Sequence, residues 1–430
     1  MPQDSYHYRR YLILNIINHL GPISRTELIT LTDYRPANVG DIIKELLDEK
    51  LIVETGYASS GPGRKRIMLE MNKEHLCAVG ISFSSQSVTY LVSQIDGKIL
   101  FQEATDYEPD LCKEKTIALV VEHVKKILHM FCDRKILGIG ISDPHYDPSN
   151  YKSIHTLLTN YTHFNDWLYK DLKPILEEIS GVQVANYSGV AMPAIAEQRF
   201  GVAKGVQDFI CVELSNGIGC SICCNGMPVV GASGRAAELG HTVISFGESA
   251  DSMCYCGKQG CVEESTAFPA LAAKISTALK KGVFSSLIMH MNEQQEITVQ
   301  AIRSALEEGD KMCTYYVKDI AERLGVAISN AVNLLNPELI VFYGFMVELG
   351  DFFLQQLEIS IRENSLSLVN DFEVRVSDST ETVYSLGAVA EIFSSYLMQE
   401  NYKWIYQFDR NDLEEKSIKV NGLAEMGELL

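Results

Sequence analysis

The sequence predicts an α/β protein in which a winged helix-turn-helix precedes a larger α/β body. Residues 1–72 show the order helix, helix, turn, helix and β-hairpin. The same segment contains nine basic and nine acidic residues, so the whole net charge of −19 belongs to the remainder of the chain. Beyond residue 76, strand patterns alternate with helix patterns. We therefore predict a DNA-binding domain at 1–72 and a second domain that starts at 73.

Local signals set the limits of the N-terminal elements. Gly21-Pro22 ends the first apolar helical stripe, and Ser24 with Glu27 three residues later forms a capping-box pattern that starts the next helix. A loop rich in Gly, Ser and Pro at 56–63 separates two strand patterns. The predicted elements are helices at 6–20, 24–31 and 36–50 and strands at 51–55 and 67–70.

The third helix has the place of a recognition helix, whose outer N-terminal residues face the DNA major groove. Three consecutive cations follow the loop S-S-G-P-G, where they can contact phosphates or a narrow minor groove. The other interpretation is a three-helix interaction module with a solvated basic loop. The candidate DNA-binding residues are Arg35, Ala37, Asn38, Asp41, Lys44, Arg64, Lys65 and Arg66.

The segment 238–263 concentrates potential metal ligands. Cys254, Cys256 and Cys261 form the pattern C-x-C-G-x-x-G-C, whose glycines permit the positive φ angles that turn three sulfurs toward one point. His241 can supply a fourth ligand. Three thiolates and one imidazole leave no position for water, which is typical of a structural Zn²⁺ site. The alternative is three reduced thiols in a loop.

Carboxylates flank these predicted metal ligands. Glu238 precedes His241 by three residues, which places the two side chains next to each other on a helix or turn, and Glu263 closely follows the last cysteine. A metal that fixes the ligands also fixes both acids, and fixed carboxylates suit the bidentate binding of sugar hydroxyls. The other interpretation is that both acids are solvated surface charges.

The segment 231–241, G-A-S-G-R-A-A-E-L-G-H, and the cysteine pattern together resemble the ROK family of repressors, open reading frames and sugar kinases. The resemblance covers about 8–393 and includes the stretches S-R-T-E-L and G-R-K-R. It implies an actin-like, ribonuclease-H-like two-lobed fold for 73–395, in which the motif Glu and His contact a sugar and the same His coordinates zinc. Residues 396–430 match nothing in the family and form a C-terminal extension of unknown role. The candidate sugar-binding residues are Asn186, Glu238, His241 and Glu263.

Kinases of this family carry an Asn-Asp pair whose Asp is the general base, and here the pair reads Asn186-Tyr187. A phenol with a pKa near 10 is a poor base at neutral pH, and loss of a general base costs roughly 10²- to 10⁴-fold in rate. Ser82 stands where the family has an acid that helps hold Mg²⁺, and Tyr343 replaces a glycine of the nucleotide site. We therefore predict no catalytic residue and no ATP cofactor.

Composition restricts the class of protein further. Hydrophobic residues at 46% and charged residues at 22% are typical of a soluble globular chain. No apolar run reaches transmembrane length and no targeting peptide is evident, so we expect a cytoplasmic protein without a membrane partner. Eleven cysteines, an odd number, fit reduced thiols and one metal site better than a disulfide framework.

The sequence therefore predicts a zinc-containing transcriptional regulator that represses carbohydrate-use genes. Its expected partners are operator DNA, a sugar or sugar-phosphate effector and further copies of itself, in a homodimer or homotetramer. One alternative is an ATP-dependent hexose kinase with a fused DNA-binding domain. The other is a regulator controlled by a protein partner, in which Tyr187 fills the sugar pocket.

Overall fold

The computed structural model describes residues 6–58, 66–84, 87–106, 113–142, 168–232, 234–245, 253–379 and 382–397. Strands within these ranges form one three-stranded sheet near the N-terminus and two five-stranded sheets in the body. No described helix combines the length and the apolar character needed to cross a membrane.

The N-terminal segment is the predicted winged helix-turn-helix. Ser24 makes the expected capping box: its Oγ accepts from the amide of Glu27 at 3.3 Å, and its own amide donates to Oε2 of Glu27 at 2.8 Å. The third helix ends two residues earlier than predicted, because Lys50 has a φ of 58° that no helix residue adopts. The elements are α1 (Tyr6–Leu20), β1 (Ile23–Ser24), α2 (Arg25–Thr32), α3 (Pro36–Asp48), β2 (Ile52–Ala58) and β3 (Arg66–Met71), with strand order β1-β3-β2.

The first body sheet has the order β6-β5-β4-β7-β8. Its first three strands are an antiparallel meander, as predicted, and the last two add in parallel. The last strand continues two residues farther than predicted, because Ser142 pairs with Tyr187, so Asn186 and Tyr187 end this strand instead of following it. The elements are β4 (Leu76–Phe83), β5 (Ser87–Gln94), β6 (Ile99–Asp106), α4 (Lys113–Met130), β7 (Lys135–Ser142), a π-helical turn (Leu168–Leu172), α5 (Lys173–Ser180) and β8 (Val184–Tyr187).

The second body sheet repeats this plan in the order β11-β10-β9-β12-β13. Asn225 and Gly226 have φ angles of 50° and 74°, which confirms the predicted type I′ turn. The helices and strands are α6 (Met192–Arg199), β9 (Phe209–Leu214), β10 (Ile218–Cys224), β11 (Met227–Pro228), α7 (Val262–Thr266), α8 (Phe268–Lys280), α9 (Val299–Glu307), α10 (Lys311–Leu335), β12 (Leu339–Tyr343), α11 (Asp351–Asn364), β13 (Glu373–Val376) and α12 (Val383–Leu397). Short 3₁₀ turns occupy Gly189–Ala191, Leu239–His241, Ser286–Met289, Phe345–Leu349 and Ser367–Val369.

Helix α12 follows the last strand of the second sheet and packs against the first. Gly80 on β4 and Gly140 on β7 allow this close approach, because a Cβ at either position would collide with the main-chain carbonyl of Ser385 or Ala388. The hydroxyls of Ser82 and Ser385 add a buried hydrogen bond of 2.7 Å. The final helix is therefore part of the first lobe although the chain reaches it from the second.

One hydrophobic core joins the winged helix to this lobe. It contains Ile13 and Ile17 of α1 together with Phe393 and Leu397 of α12, all of them buried. The predicted domain boundary at 72 and 73 lies in the turn between β3 and β4. It stays a prediction, because the core is continuous across it.

Candidate functional site

The four side chains predicted as metal ligands lie together. One ligand atom from each of His241, Cys254, Cys256 and Cys261 is within 4.8 Å of every other. Sγ of Cys254 is 3.7 Å from Nδ1 of His241, and Sγ of Cys256 is 3.6 Å from Sγ of Cys261. Tetrahedral zinc, with bonds of about 2.3 Å to sulfur and about 2.0 Å to nitrogen, separates neighbouring ligands by roughly 3.5–3.8 Å. The donors and their spacing fit a zinc ion with four protein ligands.

A short hairpin carries the three cysteines. The amide of Cys254 donates to the carbonyl of Lys258 at 2.8 Å, and the amide of Gly257 donates to the carbonyl of Cys254 at 2.8 Å. Gly257 and Gly260 have φ angles of 85° and 82°. A Cβ at Gly260 would also collide with the carbonyl oxygen of Ser245. The loop that gathers the sulfurs therefore requires glycine, as its pattern predicted.

Burial sets the protonation of the cluster without a cation. It raises the pKa of Cys254 and raises the pKa of Cys261 to about 11. Burial, helped by the charge of Lys258, lowers the pKa of His241, so the imidazole is neutral and has a lone pair to offer. A metal ion would replace the thiol protons, because the thiolate is the ligand.

Glu263 points inward from the start of α7. Its side chain is 7% exposed, and Oε2 accepts a hydrogen bond from the amide of Ile218 at 3.0 Å. Oε1 is buried and finds no hydrogen-bond donor within the described ranges, and burial raises the pKa of this carboxyl to about 7. The interpretation of Glu263 as a solvated surface charge is therefore wrong. Glu238, at the start of the 3₁₀ turn that ends at His241, is exposed, so either interpretation still applies to it.

Tyr255 is a residue of this site that the sequence analysis missed. Its hydroxyl is 2.8 Å from Nε2 of His241, and the two rings meet edge to face with centroids 5.0 Å apart. Burial, and then the charge of Glu263, raise the pKa of its phenol, and the charge of Glu238 adds to the effect. A tyrosine between two cysteines has no periodic pattern that would have identified it.

Asn186 is the candidate residue from the first lobe. Both polar atoms of its amide are buried and have no hydrogen-bond partner in the described part of the chain. Two residues on, Oγ of Ser188 donates to the carbonyl of Gly234 at 3.1 Å, which joins the segment after β8 to the segment that leads to Glu238. The ring of Tyr187 packs against an apolar cluster from the 189–192 segment and α12. Unsatisfied buried amides are rare, which makes Asn186 a candidate for a polar contact outside the described residues.

The outer face of α3 is solvent-exposed, as its predicted role requires. Arg35, Ala37, Asp41 and Lys44 are exposed and Asn38 is half-buried, while the opposite face enters the core. Gly40, which the sequence analysis omitted, lies on the exposed face among them. Arg66 is exposed at the first position of β3, whereas Arg64 and Lys65 lie outside the described residues.

Comparison with known proteins decides the family. The model of the ROK family matches residues 78–390, which is well over half of the chain. This chain belongs to the ROK family. The resemblance found in the cysteine pattern and in the segment 231–241 is thereby confirmed.

Two named relatives align over most of this ROK chain. The xylose repressor of Caldicellulosiruptor bescii is 29% identical over 396 residues, which are 91% of this chain and 97% of that protein. The DNA-binding transcriptional dual regulator NagC of Escherichia coli is 25% identical over 360 residues, which are 82% of this chain and 84% of that protein.

Solved structures confirm the predicted fold. A ROK transcriptional regulator, a homologue of the E. coli MLC protein, superposes with a TM-score of 0.73 at 23% identity and covers 91% of this chain and 97% of its own. A ROK glucokinase from Streptomyces griseus, in complex with glucose and AMPPNP, superposes with a TM-score of 0.58 at 21% identity and covers 73% of this chain and 98% of its own. At these identities the likeness establishes the two-lobed fold alone.

A buried tyrosine network lies at the end of β12. Tyr343, at the end of β12, is 1% exposed, and its hydroxyl is 3.2 Å from that of Tyr384. Tyr384 donates to Oε2 of Glu213 at 2.6 Å, and Oγ of Ser215 donates to Oε1 of the same carboxylate at 2.9 Å. The ring of Tyr343 is therefore buried and its hydroxyl is hydrogen-bonded to α12, and the expectation that it replaces a glycine of a nucleotide site stays a prediction.

Proposed function

We propose that this ROK chain is a sugar-responsive, DNA-binding transcriptional repressor. The observation that carries the proposal is a pair of buried polar groups, the amide of Asn186 and Oε1 of Glu263, that have no hydrogen-bond partner among the described residues, in a body that shares its core with a winged helix. Sugar hydroxyls both donate and accept hydrogen bonds, so a sugar suits an amide as well as a carboxylate. The relatives named as a xylose repressor and as NagC support the same role.

The proposed DNA surface is the exposed face of α3 with the basic strand start at Arg66. Arg35 and Lys44 would contact phosphates or base edges, and Asn38 offers an amide suited to adenine. Operator recognition by two such helices requires a homodimer or homotetramer, because one module reads only one half-site. The protein would act in the cytoplasm, with access to its operator DNA.

The proposed cofactor is one structural zinc ion, held by His241, Cys254, Cys256 and Cys261. When bound, zinc would lock the hairpin and the 3₁₀ turn together by replacing thiol protons with metal bonds. That arrangement would also orient Glu263, which lies two residues after Cys261 in the first turn of α7. The ion would leave no ligand position for substrate, so we assign it no catalytic role.

We further propose that the body has lost kinase activity. Tyr187 cannot replace an aspartate base at neutral pH. Ser82 hydrogen-bonds to Ser385 and carries no charge for Mg²⁺, and Tyr343, whose ring is buried, stands where the resemblance implies a glycine that lets phosphates approach. The superposed glucokinase supports a common fold and does not require a common activity.

Thermal unfolding of the zinc-loaded chain tests the ligand. The panel contains D-xylose, N-acetylglucosamine, glucose and their phosphates, each with the native chain, Glu263→Gln and Asn186→Ala. A ligand at a hundred times its dissociation constant stabilises by about 2.7 kcal/mol. We expect one sugar to raise the midpoint of the native chain and to have a reduced effect on both variants.

A second arm tests DNA binding and catalysis in the same preparation. The full chain first selects a DNA sequence from a random pool. Arg35→Ala should bind that DNA more weakly than the native chain, and the sugar found in the first arm should change the affinity of the native chain for it. ATP turnover with that sugar should stay at background. A sugar-dependent release of ADP would instead establish the kinase alternative, and a folded, metallated chain that binds no sugar would favour control by a protein partner.

A further inference from the structure

The hydroxyl of Tyr255 is hydrogen-bonded to one of the two ring nitrogens of His241. Nδ1 of the imidazole faces Sγ of Cys254 at 3.7 Å, within the metal-ligand cluster, and Nε2 faces the hydroxyl of Tyr255 at 2.8 Å. With Nδ1 given to a cation, Nε2 carries the ring hydrogen and must donate it. The phenol oxygen is therefore the acceptor of that hydrogen bond.

A sugar hydroxyl at His241 would need the same hydrogen. A single N–H makes one well-aligned hydrogen bond, so the phenol and a ligand oxygen compete for it. Tyr255 is half-buried, and its hydroxyl lies 2.8 Å from Nε2 of His241, a candidate sugar contact. The phenol therefore occupies the position beside His241 that a ligand hydroxyl would need.

The loop that carries Tyr255 is open to solvent at Gly257. Gly257, two residues after Tyr255, is exposed, and a Cβ built on it would meet no atom within 4 Å. Cys254 and Cys256, the residues on either side of Tyr255, are candidate metal ligands. An exchange of partners at His241 would therefore be a rotation of the Tyr255 side chain, with the same four ligands kept.

We propose that Tyr255 is an internal competitor of the sugar: in the ligand-free protein its hydroxyl takes the hydrogen bond of His241 Nε2 that a ligand hydroxyl takes on binding. The inference rests on the proposed function, because it assumes that this body binds a sugar. Tyr255 sets the threshold for the effector, since ligand affinity includes the exchange of one hydrogen bond for another. It is a specificity-determining residue, because only a hydroxyl placed against His241 recovers the lost bond.

Calorimetric titration of the zinc-loaded full chain with D-xylose and with N-acetylglucosamine tests the inference. Tyr255→Phe keeps the ring and removes the competing hydroxyl, and Tyr315→Phe makes the same change at a ring that is 67% exposed. A net hydrogen bond of ordinary strength corresponds to about two- to tenfold in affinity. We expect Tyr255→Phe to bind the sugar two- to tenfold more tightly, Tyr315→Phe to match the native chain, and zinc content to be equal in all three.

Unchanged or weaker sugar binding by Tyr255→Phe with full zinc content would overturn the inference. Loss of zinc from this variant would also overturn it, because the phenol would then support the metal site. If the native chain binds a sugar, Glu263→Gln abolishes the binding and Tyr255→Phe is no tighter, the inference fails while the proposed function stands. If the native chain binds no sugar or sugar phosphate of the panel used to test the proposed function, that function fails and the inference fails with it.

A ligand-independent measurement completes the test. Nuclear magnetic resonance of the chain labelled with ¹⁵N-histidine should show one imidazole Nε2–H protected from solvent exchange, and this signal should exchange rapidly in Tyr255→Phe. Equal protection in both proteins would show that the phenol does not hold this hydrogen, and the inference would be wrong.

Discussion

The side-chain amide of Asn15 donates to the main-chain carbonyl of Leu397 at 2.6 Å, and so joins the first helix of the chain to the last. Asn15 is 1% exposed, and the same Nδ2 also donates to the carbonyl of Tyr11 at 3.0 Å. Tyr384 lies near the other end of α12, about 20 Å from Leu397 along the helix axis, and its hydroxyl donates to Glu213 in the second lobe. One stiff helix thus contacts the winged helix, the first lobe and the second lobe.

We expect Asn15→Ala to destabilise the protein by about 1–3 kcal/mol, because it leaves the buried carbonyl of Leu397 without its donor. The matched control is Asn72→Ala, which removes an exposed amide-to-carbonyl hydrogen bond of 3.0 Å to Lys50 and should cost less. Denaturant unfolding measures both changes in the free energy of unfolding, from the shift in midpoint when the m values are equal. Equal costs for the two variants would show that the bond to Leu397 contributes nothing beyond a surface contact.

Cys256→Ser should remove the metal. Serine conserves the size of the side chain but is a poor zinc ligand, so the chain should fall from one bound zinc to less than a tenth and should unfold at a lower temperature. Cys132→Ser alters an exposed thiol outside the cluster and should leave zinc content unchanged. Metal analysis after dialysis decides the matter: one zinc retained by Cys256→Ser would contradict the four-ligand site.

Glu197 makes stability depend on pH. It is 1% exposed, Oε1 accepts from Ser377 and Oε2 accepts from the amide of Val202 at 2.9 Å, and burial raises the pKa of its carboxyl above the ordinary value of 4.5. Below the pKa that Glu197 has in the unfolded chain, its carboxyl is protonated in both states and does not change the free energy of unfolding with pH. As pH rises past that value, the unfolded state releases the proton more readily, so the folded state loses stability.

Glu197→Gln should therefore be more stable than the native chain at pH 8, with a difference that shrinks toward zero near pH 4.5. An amide can keep both contacts, since its oxygen accepts from Val202 and its NH₂ donates to Ser377. Glu307→Gln, at an exposed side chain, serves as the control and should show little difference at either pH. Urea midpoints across this range provide the measurement, and a variant that is less stable at pH 8 would refute the prediction.

Lys44→Ala should weaken DNA binding and reduce its salt dependence. Removal of one phosphate contact lowers the slope of log affinity against log salt by about 0.9. Lys281→Ala removes an exposed charge from the body and should leave the slope unchanged. Fluorescence anisotropy on DNA selected by the full chain, at four salt concentrations, measures both slopes. Identical slopes for Lys44→Ala and the native chain would show that Lys44 makes no contact with a DNA phosphate.

Local chemistry made the element boundaries and the metal ligands predictable. Gly21-Pro22 and the Ser24–Glu27 capping box fix where helices end and begin, because they act within four residues. The cysteine spacing identified the metal cluster for the same reason: three of its four ligands lie in eight consecutive residues. Such signals require no knowledge of distant contacts.

Contacts across long sequence separations were not predictable. Asn15 and Leu397 are 382 residues apart, and no periodic pattern relates them. Tyr255 escaped notice because its partner is a ring nitrogen brought to it by the fold, and the buried amide of Asn186 was recognisable as a candidate only through the family resemblance. Sequence patterns indicate which face of an element is buried, whereas the partner on that face follows from tertiary packing.

Gly40 separates the stability of α3 from its role in DNA binding. It lies at the centre of an exposed stripe with Ala37, Asp41 and Lys44, and a Cβ built on it would meet no atom within 4 Å of the chain. Gly40→Ala should therefore stabilise the protein by about 0.5–1 kcal/mol, because alanine favours the helix and nothing in the protein obstructs the methyl group. If this stripe enters the major groove, the same methyl group will meet DNA and weaken binding.

Asp48→Ala, at the C-terminal end of α3, is the control and should leave DNA affinity nearly unchanged. Thermal midpoints and anisotropy titrations on one preparation should move in opposite directions for Gly40→Ala, and a variant that gains stability at unchanged affinity would place the DNA on another face of the helix.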